Sequence, residues 1–363
     1  MQESRGVRTV LERNFGYAWA AGITMAVATV VLAAVAELPI RDPDNFVPGY
    51  IRFPAIVFGA IALDVVPRLI WRLTHGSHGV GNTLRDIMRE RWTRAHWLFA
   101  LGGIGAWYLT YAAFRNLKSF VPFVNSHNWD GEFRHIDQVL WFGHDPAQVL
   151  HNLFGTGWAA HFFSGVYFVW IGLVPISIAI ALVWTRSRTA SSWYVTAVAF
   201  DWMLGSLVYL LFPSMGPIYT EAQRGQFSDL PHTYNTDLAN SLWDDRVSVV
   251  GDVFGSGTLQ TIAAFPSLHT GIMVTICVFA QYVGLARWIR VASWIFLGLT
   301  IVATLYLGWH YFVDVLGGIA LGSFTVWLAA LATGNHVGLR PKLKREETEI
   351  TDSAAASTAP SAS

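Results

Sequence analysis

The stretch WYVTAVAFDWMLGSLVYLLFP, Trp193 to Pro213, carries one charged side chain, Asp201, in 21 residues. A helix needs about 20 mostly apolar residues to cross a hydrocarbon core, so this segment alone reads as a membrane span. Working outward, the pattern recurs. Met25 to Leu38 contains only Glu37 as a charge. Hydropathy and length together mark eight spans, at 16–38, 50–71, 95–114, 159–184, 192–213, 263–285, 291–309 and 312–333. The first apolar run follows Arg5, Arg8 and Arg13 and is longer than the apolar region of a cleaved signal peptide, so it is read as a retained span. The expected fold is all-α: a polytopic transmembrane helical bundle.

Composition agrees. Of 363 residues, 53% are hydrophobic and only 13% charged, against roughly a quarter charged in soluble domains. The 17 tryptophans gather towards the ends of the apolar runs, where their rings favour the interface. Zero net charge gives no argument for nucleic acid, and the single cysteine, Cys277, excludes an intrachain disulfide and a multi-cysteine metal site.

Positive charge orders the loops. Arg5, Arg8 and Arg13 precede the first span, and Arg72, Arg85, Arg89, Arg91 and Arg94 follow the second. Arg186 and Arg188 follow the fourth, Arg287 and Arg290 the sixth, and Arg340, Lys342, Lys344 and Arg345 the eighth. These are alternate loops, which predicts both termini in the cytoplasm. The Ala- and Trp-rich composition suggests a bacterial cell (inner) membrane. The segment 77–94 reads as a basic interfacial stretch attracted to anionic lipid heads. Residues 1–94 then hold two extra N-terminal spans and this basic segment, 95–333 a six-span core, and 334–363 a disordered cytoplasmic tail. No internal repeat is apparent.

Two segments stand apart on the opposite face: Phe265-Pro266-Ser267-Leu268-His269-Thr270-Gly271, and His310-Tyr311-Phe312-Val313-Asp314. The histidines are 41 residues apart, about the length of one helical hairpin across the bilayer and back. Both therefore return to one level, opposite Arg287 and Arg290. His310 and Asp314 share a helix face, where a carboxylate fixes the imidazole tautomer and leaves the other nitrogen free to attack an electrophile. His269 then suits a general acid. Ser267 and the backbone N–H groups at the helix start suit an anion such as phosphate. A lone interfacial histidine is usually an anchor, but two at one depth, with a carboxylate at helical spacing, favour chemistry. Asp64 and Asp201 read as structural partners of nearby polar groups. His127, His135, His144 and His151 read as surface residues, not a metal site, and 251–257 lacks the lysine of a nucleotide loop.

These two segments resemble motifs of the type 2 phosphatidic acid phosphatase superfamily, and within it the branch of fungal inositol phosphorylceramide synthase. A weaker third match is Leu211-Phe212-Pro213-Ser214-Met215-Gly216-Pro217-Ile218-Tyr219. The resemblance covers roughly 95–333. It implies a phosphohistidine mechanism without metal or other cofactor: His310 as nucleophile, Asp314 as its orienting partner and His269 as the acid. It also implies a phospholipid or lipid-phosphate substrate reached from the outer leaflet, with water or a polyol as acceptor. Many members hold phosphate with Lys and Arg-Pro in the first motif, yet 209–219 has neither Lys nor Arg. Arg115, Lys118, Arg224 and Arg246 are the candidates for that role, Arg115 and Lys118 first, with snorkelling to the interface as their alternative. The competing reading is a transporter using the histidines and Asp314 as a proton relay. Transporters tend to hold ionisable groups near the midplane and to show repeats, and this chain does neither.

Overall fold

The computed structural model describes residues 2–43, 49–76, 79–184 and 187–344, with side chains from Phe15 onward except that of Arg52. Arg5, Arg8, Arg13, Arg186, Arg345 and the tail from 345 lie outside the residues so described. Among the described residues twelve α-helices follow one another: α1 Gln2–Val35, α2 Gly49–Thr74, α3 Val80–Arg91, α4 Arg94–Val124, α5 Asp130–Leu140, α6 Pro146–Phe154, α7 Trp158–Val183, α8 Arg188–Leu211, α9 Tyr234–Gly251, α10 Leu268–Val283, α11 Arg287–Tyr306 and α12 Phe312–Ala332. Seven contain segments long and apolar enough to cross a membrane: α1, α2, α4, α7, α8, α11 and α12. The protein is an all-α, multi-pass membrane protein.

The eighth expected span, 263–285, takes a different form. Its helix, α10, has 16 residues, about 24 Å of rise. Residues 263–267 instead run irregularly: Ala264 N–H donates to the Ser214 carbonyl and Ser267 N–H to the Asp314 carbonyl. Irregular backbone at membrane depth is tolerated only where protein covers it, and Leu259, Gln260, Ile262, Ala263 and Ala264 are all buried. Conversely, the third span, expected to end at 114, continues in α4 to Val124 because Ala113, Leu117, Phe120 and Val121 keep presenting a buried face.

α8 is central. It packs on α1, α4, α10 and α12, and Trp193, Val195, Ala197 and Val198 are fully buried along it. α1 lies against α4 and α8, with Phe15, Ala18 and Met25 in the same core. α10 and α12 approach backbone to backbone: a Cβ on Gly318 would strike the Ser267 carbonyl, and one on Gly322 the Gly271 carbonyl. This contact sets the two motif-bearing helices side by side. Asp201 of α8 accepts from Thr275 of α10 (2.7 Å) and Thr325 of α12 (2.5 Å), tying the three helices together. Asp64 is fully buried and pairs with Arg68 (2.9 Å) and Arg91 (3.1 Å). Both aspartates have the structural partners expected of them.

The long loops at the site end are ordered. Residues 115–158 contain α5 and α6, and 214–262 contain two short 3-10 turns, Pro217–Tyr219 and Arg224–Phe227, followed by α9. The expectation of disorder from residue 334 fails through Lys344. His336–Val337 and Arg340–Pro341 pair as a hairpin, and the buried Asn335 anchors it, its carbonyl accepting from Lys342 N–H and its side chain from Lys344 N–H.

Candidate active site

Ser267 starts α10 by accepting the Thr270 N–H on its Oγ (3.3 Å). Its side chain is fully buried, so it is committed to the helix cap. Two residues on, His269 emerges at the first turn. Its Nδ1 lies 2.9 Å from His310 Nε2, and His310 Nδ1 lies 3.1 Å from Asp314 Oδ2. The same carboxylate oxygen accepts the Tyr311 N–H (2.9 Å), which holds it against the start of α12. The three side chains form one linear relay.

The relay fixes its own protons. Asp314 accepts, so His310 Nδ1 carries hydrogen and its Nε2 presents a lone pair. His269 Nδ1 must then carry the hydrogen that points at that lone pair. Burial, and after it the charge of Lys118, push the His310 imidazole down to about 3, so the ring is neutral at rest. Asp314 Oδ1 is buried without a hydrogen-bond partner. Aromatic rings wall His269: Trp170 at 4.2 Å and Tyr167 at 5.0 Å between centroids. Trp170 Nε1 also donates to the His269 carbonyl (3.1 Å).

The four expected phosphate candidates separate. The Lys118 ammonium lies over two rings, 4.9 Å from the centre of Tyr209 and 5.8 Å from that of Phe114. Among the described residues it meets no carboxylate. Arg115, one helical turn earlier, donates its Nε to the Pro43 carbonyl (2.9 Å). Arg246 donates to Gln260 Oε1 (3.2 Å), while Gln260 Nε2 donates to the Lys118 carbonyl (2.8 Å). Arg224 borders a separate cavity with Tyr219 and Asn235.

Two positioning residues escape sequence reasoning. Asp130 accepts the N–H groups of Met215 (2.9 Å) and Gly216 (3.0 Å). Asp137, two turns along α5, accepts those of Phe312 (2.6 Å) and Val313 (2.9 Å), capping α12 just beyond His310. Burial raises both carboxyls, Asp137 to about 7. Their seven-residue separation on one helix face was the available signal. His151 corrects the reading of four surface histidines. His127, His135 and His144 are exposed, but His151 is buried, with Nε2 2.8 Å from the Tyr306 carbonyl. Among the described residues no three His, Cys, Asp or Glu side chains gather as a metal-binding group.

Comparison with known proteins meets this geometry directly. The family model described as the PAP2 superfamily matches residues 131–336, more than half of the chain. The chain belongs to the PAP2 superfamily. The match begins in α5, one residue after Asp130, and takes in the whole relay, Asp137 and Trp170. A relative from Bacteroides thetaiotaomicron, named phosphoinositol dihydroceramide synthase, is 28% identical over 167 residues, covering 45% of this chain and 53% of the relative. The chain thus spans about half the length of that curated relative. No solved structure matches significantly.

Proposed function

We propose that the chain is a membrane enzyme that breaks a lipid phosphoester through a phosphohistidine on His310 and passes the phosphoryl-bearing group to water or an alcohol. The observation that carries this reading is the relay from Asp314 through His310 to His269, which leaves one neutral nitrogen lone pair facing one N–H. Membership of the PAP2 superfamily and likeness to a protein named phosphoinositol dihydroceramide synthase support a lipid phosphatase or phosphotransferase as its class.

The geometry implies the steps. The His310 and His269 nitrogens, 2.9 Å apart, separate to admit phosphorus between them. His310 Nε2 attacks, the phosphorus–oxygen bond to the leaving group breaks, and His269 Nδ1–H protonates the departing alkoxide. The positive charge on the phosphorylated His310 ring rests against Asp314. In the second half, the acceptor hydroxyl gives its proton to His269 as its oxygen bonds to phosphorus and the phosphorus–nitrogen bond breaks. Lys118 holds the phosphoryl oxygens: a cation without a carboxylate in a membrane helix is costly, and an incoming anion offsets that cost. Ser267 acts through the α10 start, and Arg115 is the weaker anion ligand of the pair.

In this reading 95–333 is the catalytic core, since every relay member and Lys118 come from α4 onward. The site opens to the non-cytoplasmic side, because the loops at the other end carry Arg72, Arg85, Arg89, Arg287 and Arg290.

The test is purified protein in lipid vesicles given a labelled phospholipid panel, with and without candidate alcohols, including phosphatidylinositol with dihydroceramide. Free phosphate reports hydrolysis and a new head group reports transfer. Trapping a labelled, acid-labile and base-stable phosphoprotein that His310→Ala cannot form supports the intermediate; full activity in His310→Ala sinks it.

A further inference from the structure

His269 must give a proton and later take one, and the proton count fixes its charge. A neutral imidazole that lost its Nδ1 hydrogen to an alkoxide would be left an anion, too basic a product for this side chain. The ring that protonates the leaving group therefore carries hydrogen on both nitrogens and one positive charge. Asp314, the relay's carboxylate, faces His310 rather than His269. Something other than that carboxylate has to favour the charged ring.

Aromatic rings of α7 meet it directly. Trp170 and Tyr167, one helical turn apart, have centroids 4.2 Å and 5.0 Å from that of His269, with planes tilted by 46° and 36°. Both fall within the roughly 6 Å at which a cation is attracted to an aromatic ring. Trp170 does more than Tyr167. Its Nε1 donates to the His269 carbonyl (3.1 Å), which fixes the main chain that carries the imidazole. It also packs on the Met273, Val274, Cys277 and Leu297 cluster of α10 and α11, so its own place is set by two helices. Tyr167 instead stacks on Trp309, the residue before His310, at 5.2 Å and 11°.

We propose that Trp170 is a positioning residue for acid catalysis: its ring stabilises the His269 imidazolium, and its N–H holds that imidazole in line with the leaving oxygen. The inference rests on the phosphohistidine reading and deepens it. In the first half-reaction His310 Nε2 bonds to phosphorus, the bond to the leaving oxygen breaks, and that oxygen takes the His269 Nδ1 hydrogen. His269 is then neutral, with its hydrogen kept on Nε2. In the second, the acceptor oxygen bonds to phosphorus, the phosphorus–nitrogen bond breaks, and the acceptor's proton restores the imidazolium. A leaving group that departs as a stable anion needs no proton, so it bypasses the step that Trp170 serves.

Two matched donor pairs test this with the full chain in phosphatidylcholine vesicles: phosphatidic acid with 4-nitrophenyl phosphate, and phosphatidylinositol with 4-nitrophenyl inositol phosphate. Within a pair the transferred group is the same and only the leaving oxygen differs. Both rates come from one preparation, so the ratio of lipid to nitrophenyl turnover does not depend on how much protein folds. Trp170→Leu is expected to lower that ratio about tenfold, and Trp170→Phe, which keeps a ring but loses the N–H, to recover part of it. His269→Ala should lower it further, about 100-fold. An unchanged ratio in Trp170→Leu overturns the positioning role, whether or not total turnover falls, as does a wild type that cleaves a lipid but not its nitrophenyl partner. Equal ratios in the Leu and Phe variants overturn the part given to the ring. Turnover by His310→Ala, or a wild type that cleaves neither pair, fails the phosphohistidine reading itself.

Discussion

Two buried carboxylates on neighbouring helices are treated in opposite ways. Asp201, inside the bundle, has each oxygen met by a threonine hydroxyl, from α10 and from α12. Asp314, at the start of α12, gives one oxygen to His310 and to Tyr311 N–H and leaves the other without a partner. The same pair of helices supplies both settings. A fully satisfied polar group holds helices in register. A partly satisfied one beside an imidazole is, in the proposed mechanism, the group whose charge meets the developing cation.

The comparison breaks most easily at the relay. His310→Ala is expected to reduce turnover at least about 10⁴-fold with the fold intact, checked by product formation alongside detergent-solubilised melting. Asp314→Asn should retain melting behaviour but lose roughly 10³-fold in turnover, because the amide no longer enforces the productive tautomer. If Asp314→Asn unfolds the protein while Asp201→Asn stops catalysis, the two roles are exchanged. Lys118→Met should weaken turnover about 10–100-fold through lost charge at the phosphate, with Lys118→Arg recovering part of it; equal losses in both variants argue for packing alone. Asp201→Ala leaves two hydroxyls unmatched and should cost about 1–3 kcal/mol of stability, read as a lower melting temperature with the turnover of the folded fraction retained.

The smallest effect concerns Asp137. Burial raises its folded-state carboxyl to about 7, above an unfolded value of about 3.9. The folded state therefore holds this proton more tightly. The resulting stabilisation is full below the unfolded value and is lost as pH rises through about 7. Melting temperature should fall between about pH 5 and about pH 8 in the wild type, and Asp137→Asn should flatten that slope. A slope untouched by the substitution assigns the dependence to other groups.

Much of this contrast is legible in the sequence, and the limits have physical causes. The 41-residue interval between His269 and His310 is a length argument, and the structure brings their nitrogens to 2.9 Å. The partners of Asp201 were not legible, since Thr275 and Thr325 are 74 and 124 residues away. Asp130 and Asp137 were hidden because 115–158 read as a loop whose histidines drew the eye. Its acids proved to be the buried caps of the first-motif turn and of α12. Arg115 and Lys118, one turn apart on α4, looked equivalent as neighbouring cations, but the packed structure seats Arg115 on the Pro43 carbonyl and the Lys118 ammonium over the Tyr209 ring.

By itself, the sequence determined the all-α membrane architecture, the alternating basic loops, and the return of two histidines to one level. Those features follow from bilayer thickness and helical rise, which act on each segment separately. Only the tertiary structure decided that α10 starts late under a protein-covered segment, that Asp137 caps the start of α12, and that Asp201 meets threonines from two other helices. Those outcomes depend on which faces of distant helices meet. Glycine contacts and buried hydrogen bonds govern that meeting, and no local pattern encodes it.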